Sequence, residues 1–140
     1  MSDFKTGLAP LGSQRELGAD ELPRLYAYPD GHPEEPWLRA NFITSLDGGA
    51  TAEGTSGTMA GPGDKFVFNL LRELADVILV GAGTVRIEGY SGAHLSVVQR
   101  QQRQARQQTE VPQLAIVTKA GRLDRDLAVF TRTEVPPLVL

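Results

Sequence analysis

The run Val77-Ile78-Leu79-Val80-Gly81-Ala82-Gly83-Thr84-Val85 decides how the rest of the chain is read. Its four leading apolar residues predict a short strand buried on both faces, and the glycines after them permit a tight turn. Thr84 stands where it could cap a helix. A strand that passes through glycine into a helix start leaves main-chain N–H groups directed at one spot, where phosphate binds well. Taken alone, these nine residues are served slightly better by an ordinary strand-to-helix turn that binds nothing, so the flanking segments carry the decision.

Immediately upstream, Phe66, Val67, Leu70, Leu71 and Leu74 recur at helical spacing, with Lys65, Asn69, Arg72 and Glu73 off that stripe. They predict an amphipathic helix opened by Asp64. Before it, Ala50 to Gly63 is small, hydroxylated and glycine-rich, which cannot form a core but suits a binding loop or lid. Earlier still, Trp37-Leu38-Arg39-Ala40-Asn41-Phe42-Ile43 reads as a central strand, followed by the turn Thr44-Ser45-Leu46-Asp47-Gly48. Asn41 is either an amide satisfied by backbone or a ligand contact, and Asp47 by itself is best read as a turn former. Strand, loop, helix and strand in that order predict a crossover unit with a parallel, right-handed strand pair.

Residues 1–36 mix Gly, Pro and charge without a sustained period and read as an N-terminal extension and linker. Leu22 to Tyr28 is the one part expected to form an extended edge segment. Downstream of the opening run, Glu88 to Gly92 should break a short helix, and Gln99 to Gln108 predicts a solvated helix or an excursion with almost no apolar face. Leu114 to Lys119 and Leu127 to Phe130 read as strands, and Pro137 to Leu140 as the start of another. An ending inside a strand predicts that residues 37–140 are the front part of a longer domain.

Composition narrows the chemistry. With 14 Lys and Arg against 17 Asp and Glu, the net charge of -3 supplies no footprint for nucleic acid or an anionic membrane. Zero cysteines and two histidines leave no thiolate or imidazole metal site, so none is expected. No run reaches the roughly 20 apolar residues of a membrane span, and Met1 to Gly12 lacks a signal-peptide core, which makes the cytoplasm the default expectation.

Taken jointly, W-L-R-A-N-F-I-T-S-L-D-G at Trp37 to Gly48, the Gly/Ser/Thr loop, A-D-V-I-L-V-G-A-G-T-V at Ala75 to Val85, and P-Q-L-A-I-V-T-K at Pro112 to Lys119 resemble the pyrimidine reductase of riboflavin synthesis. That family has a dihydrofolate-reductase-like α/β fold, a mostly parallel sheet flanked by helices. The resemblance covers about residues 37–140. It demotes a Rossmann reading, since the G-x-G here departs from G-x-G-x-x-G and lacks its acidic ribose contact.

The resemblance implies an NADPH-dependent reductase that transfers hydride to C1' of 5-amino-6-ribosylamino-uracil phosphate. It assigns the cofactor phosphates to Gly81, Gly83 and Thr84, and the 2'-phosphate to Thr118 and Lys119. It assigns the substrate to Asn41, Ser45 and Ser56, and a polarising or protonating role to Asp47. It also implies a homodimer once the family's second half is present, which carries a Glu-Gly-Gly turn at the cofactor pyrophosphate and a strand pair used in dimer formation. With no cysteine the chain has no P-C-x-x-C, so the companion deaminase is absent from these residues. A same-fold pterin reductase and a nucleotide-binding domain without chemistry stand as alternatives.

Overall fold

The computed structural model describes residues 5–29, 34, 36–50 and 57–140. They fall into two compact units divided between Leu74 and Ala75.

In the first unit, α1 spans Leu22–Leu25 and α2 spans Pro62–Leu74. α2 opens on proline, whose missing N–H is no loss in a first turn, and so begins two residues before the expected Asp64. Its stripe Val67, Leu70 and Leu74 is buried as the spacing predicts, with Phe66 and Leu71 partly buried beside it. Across the stripe lie Leu22, which is 1% exposed, and the partly buried Leu8, Leu17, Tyr26 and Tyr28. The N-terminal residues therefore form half of a core. At Gly63 the approach is tight, for a Cβ there would stand 2.2 Å from the Thr6 carbonyl oxygen.

Two expectations fail in this unit. Leu22 to Tyr28 begins with a helical turn rather than an extended edge, since Glu21 accepts from the Gly18 N–H at 2.8 Å and Pro23 supplies a helical φ. Trp37 to Ile43 forms no strand among the described residues, and Trp37, Leu38 and Phe42 are 62, 83 and 84% exposed. An apolar pattern favours a strand, but a strand exists only with a ladder partner for its N–H and C=O groups.

In the second unit a parallel sheet is built from β1 (Val77–Gly81), β2 (Gln113–Val117) and β3 (Leu138–Val139), in the order β1-β2-β3. The crossover segments contain α3 (Ala82–Ile87), α4 (Val97–Ala105) and α5 (Ala128–Thr131). Val80, Leu114 and Ile116 share a core with Val85 of α3 and Val129 of α5. β1 is not buried on both faces: Val77 and Leu79 are 51 and 55% exposed, because the period of two sends them opposite to Val80. Only β2, flanked on both sides, buries three consecutive residues, Leu114, Ala115 and Ile116.

Leu127 to Phe130 is helical rather than a strand. Asp124 accepts from the Asp126 N–H at 3.0 Å, a local bond that opens a turn, and Val129 then reaches the core from α5. The Gln/Arg run does form a helix. Ser96 and Gln99 make a capping box, with the Gln99 N–H donating to Ser96 Oγ at 3.3 Å and the Ser96 N–H donating to Gln99 Oε1 at 2.9 Å. Its far end closes through Gln107 at φ 62, with the Gln108 N–H reaching the Arg103 carbonyl at 3.0 Å. α4 is not solely a solvated element, for Arg103 is 0% exposed. Arg103 donates from Nε to the Thr109 carbonyl at 2.7 Å and from Nη1 to the Ala75 carbonyl at 2.6 Å.

Candidate functional site

In the second unit the expected cofactor residues come together through strand register. Gly81 ends β1 and pairs with Val117, which ends β2, so the next residues, Ala82 to Thr84 and Thr118 to Lys119, leave the same carboxyl edge of the parallel sheet. Ligands of open α/β sheets bind outside such edges. Strand β3 secures the β2 side: the Leu140 N–H donates to the Ile116 carbonyl at 2.9 Å and the Thr118 N–H donates to the Leu140 carbonyl at 2.8 Å. Thr118 is thus held by its main chain, which leaves its hydroxyl for other work, and Lys119 is exposed.

α3 follows β1 without a loop. Its N-cap is Gly81, at φ -75 and ψ 144, and not Thr84, which lies inside the first turn. A glycine N-cap has no side chain to cover the first-turn N–H groups, so they face outward uncapped by the chain. Neither Gly81 nor Gly83 has a positive φ, and a Cβ on either would meet no atom within 4 Å. Local structure therefore does not require glycine at these positions. What glycine does there is keep the backbone open to close approach.

The expected substrate residues lie in the first unit. Ser45 to Gly49 is a closed turn. The Gly48 N–H donates to the Ser45 carbonyl at 2.9 Å, the Ser45 N–H to the Gly49 carbonyl at 2.9 Å, and the Gly49 N–H to Ser45 Oγ at 3.0 Å. The Ser45 hydroxyl donates to Asp47 Oδ1. That bond, followed by main-chain N–H bonds from Gly49 and Asp47, holds the Asp47 carboxyl below its ordinary value of 3.8. Asp47 is an exposed, ionised carboxylate. Asn41 is exposed rather than a buried amide, so no obligation to pair constrains it. Ser56 lies outside the described residues.

Two side chains were not singled out from the sequence. Arg39 sits 4.5 Å from the Tyr28 ring centroid and 5.5 Å from that of Tyr26, and its Nη1 donates to the Tyr26 carbonyl at 2.7 Å. Arg100 in α4 pairs with Glu134 at 2.6 Å and Glu110 at 3.7 Å, and the Glu134 carboxyl is held below its ordinary 4.5, chiefly by the hydrogen bond from Arg100. No spacing rule announces either, since both join residues distant in sequence.

The family model described as the RibD C-terminal domain matches residues 36–140. The chain belongs to the RibD C-terminal domain family. This is a reductase family of the riboflavin pathway. Among solved structures, a pyrimidine reductase-like protein from Corynebacterium diphtheriae is similar at 33% identity with a TM-score of 0.61. The match covers 70% of this chain and 41% of that one, so the chain spans less than half the length of that relative. The mixed α/β architecture with its parallel sheet is accordingly the dihydrofolate-reductase-like fold of this RibD C-terminal domain. A comparison with the curated proteins found no match. Among the described residues no helix is long and apolar enough to cross a membrane.

Proposed function

We propose that this RibD C-terminal domain serves an NADPH-dependent reductase acting on 5-amino-6-ribosylamino-uracil phosphate. The observation that carries the reading is the register Gly81↔Val117, which aligns an open glycine turn with a threonine-lysine pair at one sheet edge in a chain of this family. The residues fit the cofactor. Gly81 and Gly83 leave the backbone accessible to a pyrophosphate, and a hydroxyl beside an ammonium suits a 2'-phosphate dianion. When bound, NADPH would supply the hydride that adds to C1' of the open-chain imine of the ribosylamine, while the imine nitrogen takes a proton from solvent to give the ribitylamine.

Around that chemistry the chain binds and orients. Thr84 and the first-turn N–H groups hold the pyrophosphate; Thr118 and Lys119 hold the 2'-phosphate. Asn41 and the Ser45 turn contact the pyrimidine; Ser56, expected with them, lies outside the described residues. Asp47, ionised by its turn, acts by electrostatic attraction on the amine side of the reacting centre rather than by donating a proton. A lowered carboxyl pKa means the charge is present at neutral pH and is lost only as pH falls through a value below 3.8. The pH profile of kcat/KM should therefore show no acid limb from Asp47 between pH 5 and pH 8, in the range where an ordinary carboxylate is already charged.

Oxidation of NADPH by the full chain, followed at 340 nm with the ribosylamino-pyrimidine phosphate and separately with dihydrofolate, tests the reading. Turnover of the first supports it; turnover of dihydrofolate alone moves the chain to pterin chemistry, and silence with both removes the enzymatic reading. Asp47→Asn should lower single-turnover hydride transfer by about tenfold to a hundredfold, in line with loss of one charge-assisted contact in a transition state. An unchanged rate would remove Asp47 from the site. Gly83→Ala separates cofactor binding from folding: the helix should gain about 0.5 kcal/mol while NADPH affinity falls, because the new methyl occupies the approach. Thermal melting and NADPH titration of one preparation would read both, and an unaltered affinity would show that nothing approaches the backbone there.

A further inference from the structure

Residues 5–29 precede the family match, which begins at residue 36, yet they are not peripheral to the unit they belong to. They bury Leu22 against the stripe of α2, and Thr6 seats itself at Gly63, donating from Oγ1 to the Leu17 carbonyl at 2.7 Å. The segment ends in Tyr26 and Tyr28, both half-buried against the same core. Arg39 then lies near both rings and bonds the Tyr26 carbonyl.

Beyond Arg39 the chain runs through Asn41, Ser45 and Asp47. Residues 36–50 hold no helix or strand, and Trp37, Leu38, Phe42 and Leu46 are 62 to 111% exposed. Among the described residues the Ser45 turn bonds only within itself, and the polar and ring contacts that tie 36–50 to the rest of the unit run through Arg39. A segment with so little apolar burial takes its position from such an anchor.

We propose that residues 5–29 are a strap, fastened on α2, that positions the candidate substrate segment Asn41 to Asp47 through Arg39. Arg39 is a positioning residue and touches no substrate. Its guanidinium suits the task because it is planar, stays charged, and can lie over a ring while donating in its own plane to a carbonyl. The inference rests on the proposed function only for what the segment binds; the mechanical claim stands on the first unit alone.

Trp37 is the single tryptophan and lies two residues before Arg39, so its fluorescence anisotropy reports the anchoring directly. In the full chain, Arg39→Met and Tyr28→Leu should each lower Trp37 anisotropy and increase its quenching by acrylamide, whereas Arg24→Met, an equal charge change on α1, should do neither. With the ribosylamino-pyrimidine phosphate, Arg39→Met should raise KM by about tenfold, the scale of one charge-assisted hydrogen bond, with kcat and the KM for NADPH held within about twofold. Far-ultraviolet circular dichroism and the melting of each variant establish that it is folded. Unchanged anisotropy in both variants overturns the strap, and raised mobility with an unchanged pyrimidine KM overturns its positioning role. If the parent chain turns over no pyrimidine, the functional reading falls on that result, and Trp37 anisotropy alone then upholds or overturns the strap.

Discussion

Arg103→Ala is expected to destabilise the sheet unit by about 3 kcal/mol or more, the range for removing a buried side chain whose partners are then left unpaired. Arg103 is 0% exposed, and two of its bonds reach carbonyls at the entries to β1 and β2: Ala75 lies just before β1, and Thr109 lies shortly before β2. The Gln113 N–H continues that junction by donating to the Asp76 carbonyl at 3.0 Å. Truncation leaves a cavity and two carbonyls without their cation. A unit of this size loses about 4–8 °C of Tm per kcal/mol, so the melting temperature should fall by about 12 °C or more. Arg103→Lys should recover less than half of the loss, since an ammonium is a point donor and cannot span both carbonyls as a guanidinium does. Urea denaturation of the three proteins would decide it. A change below about 0.5 kcal/mol, typical of surface substitutions, would mean the side chain is not the clamp described. The clamp also concerns function, because it fixes the opposite end of the register that brings Gly81 level with Val117.

The second large effect concerns cofactor choice. Thr118→Val with Lys119→Gln should reduce the preference for NADPH over NADH by about a hundredfold, since charge-assisted contacts are worth about 1.5–3 kcal/mol each and each 1.4 kcal/mol is tenfold. Stability should barely move. Lys119 is exposed, and the structural bond of Thr118 is its main-chain N–H to the Leu140 carbonyl, which valine retains. The ratio of kcat/KM for the two cofactors is the measurement. A ratio left intact would take this pair out of the 2'-phosphate site, with the Gly81 turn still open to independent test by Gly83→Ala.

Some of this molecule follows from local chemistry. α2, β1 and β2 lie where apolar pattern and length put them, α2 from its 3.6 repeat and the two strands from short unbroken apolar runs. The G-x-G-T run was legible as a strand-to-helix turn for the same reason, although the helix starts at Ala82 and leaves Thr84 in its first turn. Asp47 was legible as a turn former, and the turn's own hydrogen bonds keep it ionised.

Other features depended on residues far apart in the chain. Trp37 to Ile43 carries a strand's pattern but has no ladder partner among the described residues, and Leu127 to Phe130 turns helical because an Asp124 turn sends Val129 into the core. The Gln/Arg run looked solvated since α4 carries little apolar surface, yet one arginine in it is wholly buried by contacts to Ala75 and Thr109. Residues 5–29 looked like a linker because their apolar residues follow no period; their order comes from α2, onto which they fold. By itself the sequence determined α2, β1 and β2, the family and the residue types suited to phosphate, all of which rest on short-range pattern and motif. Tertiary structure alone decided the pairing Gly81↔Val117, the burial of Arg103 and the anchoring of Arg39, because each is a contact whose partner no local pattern names.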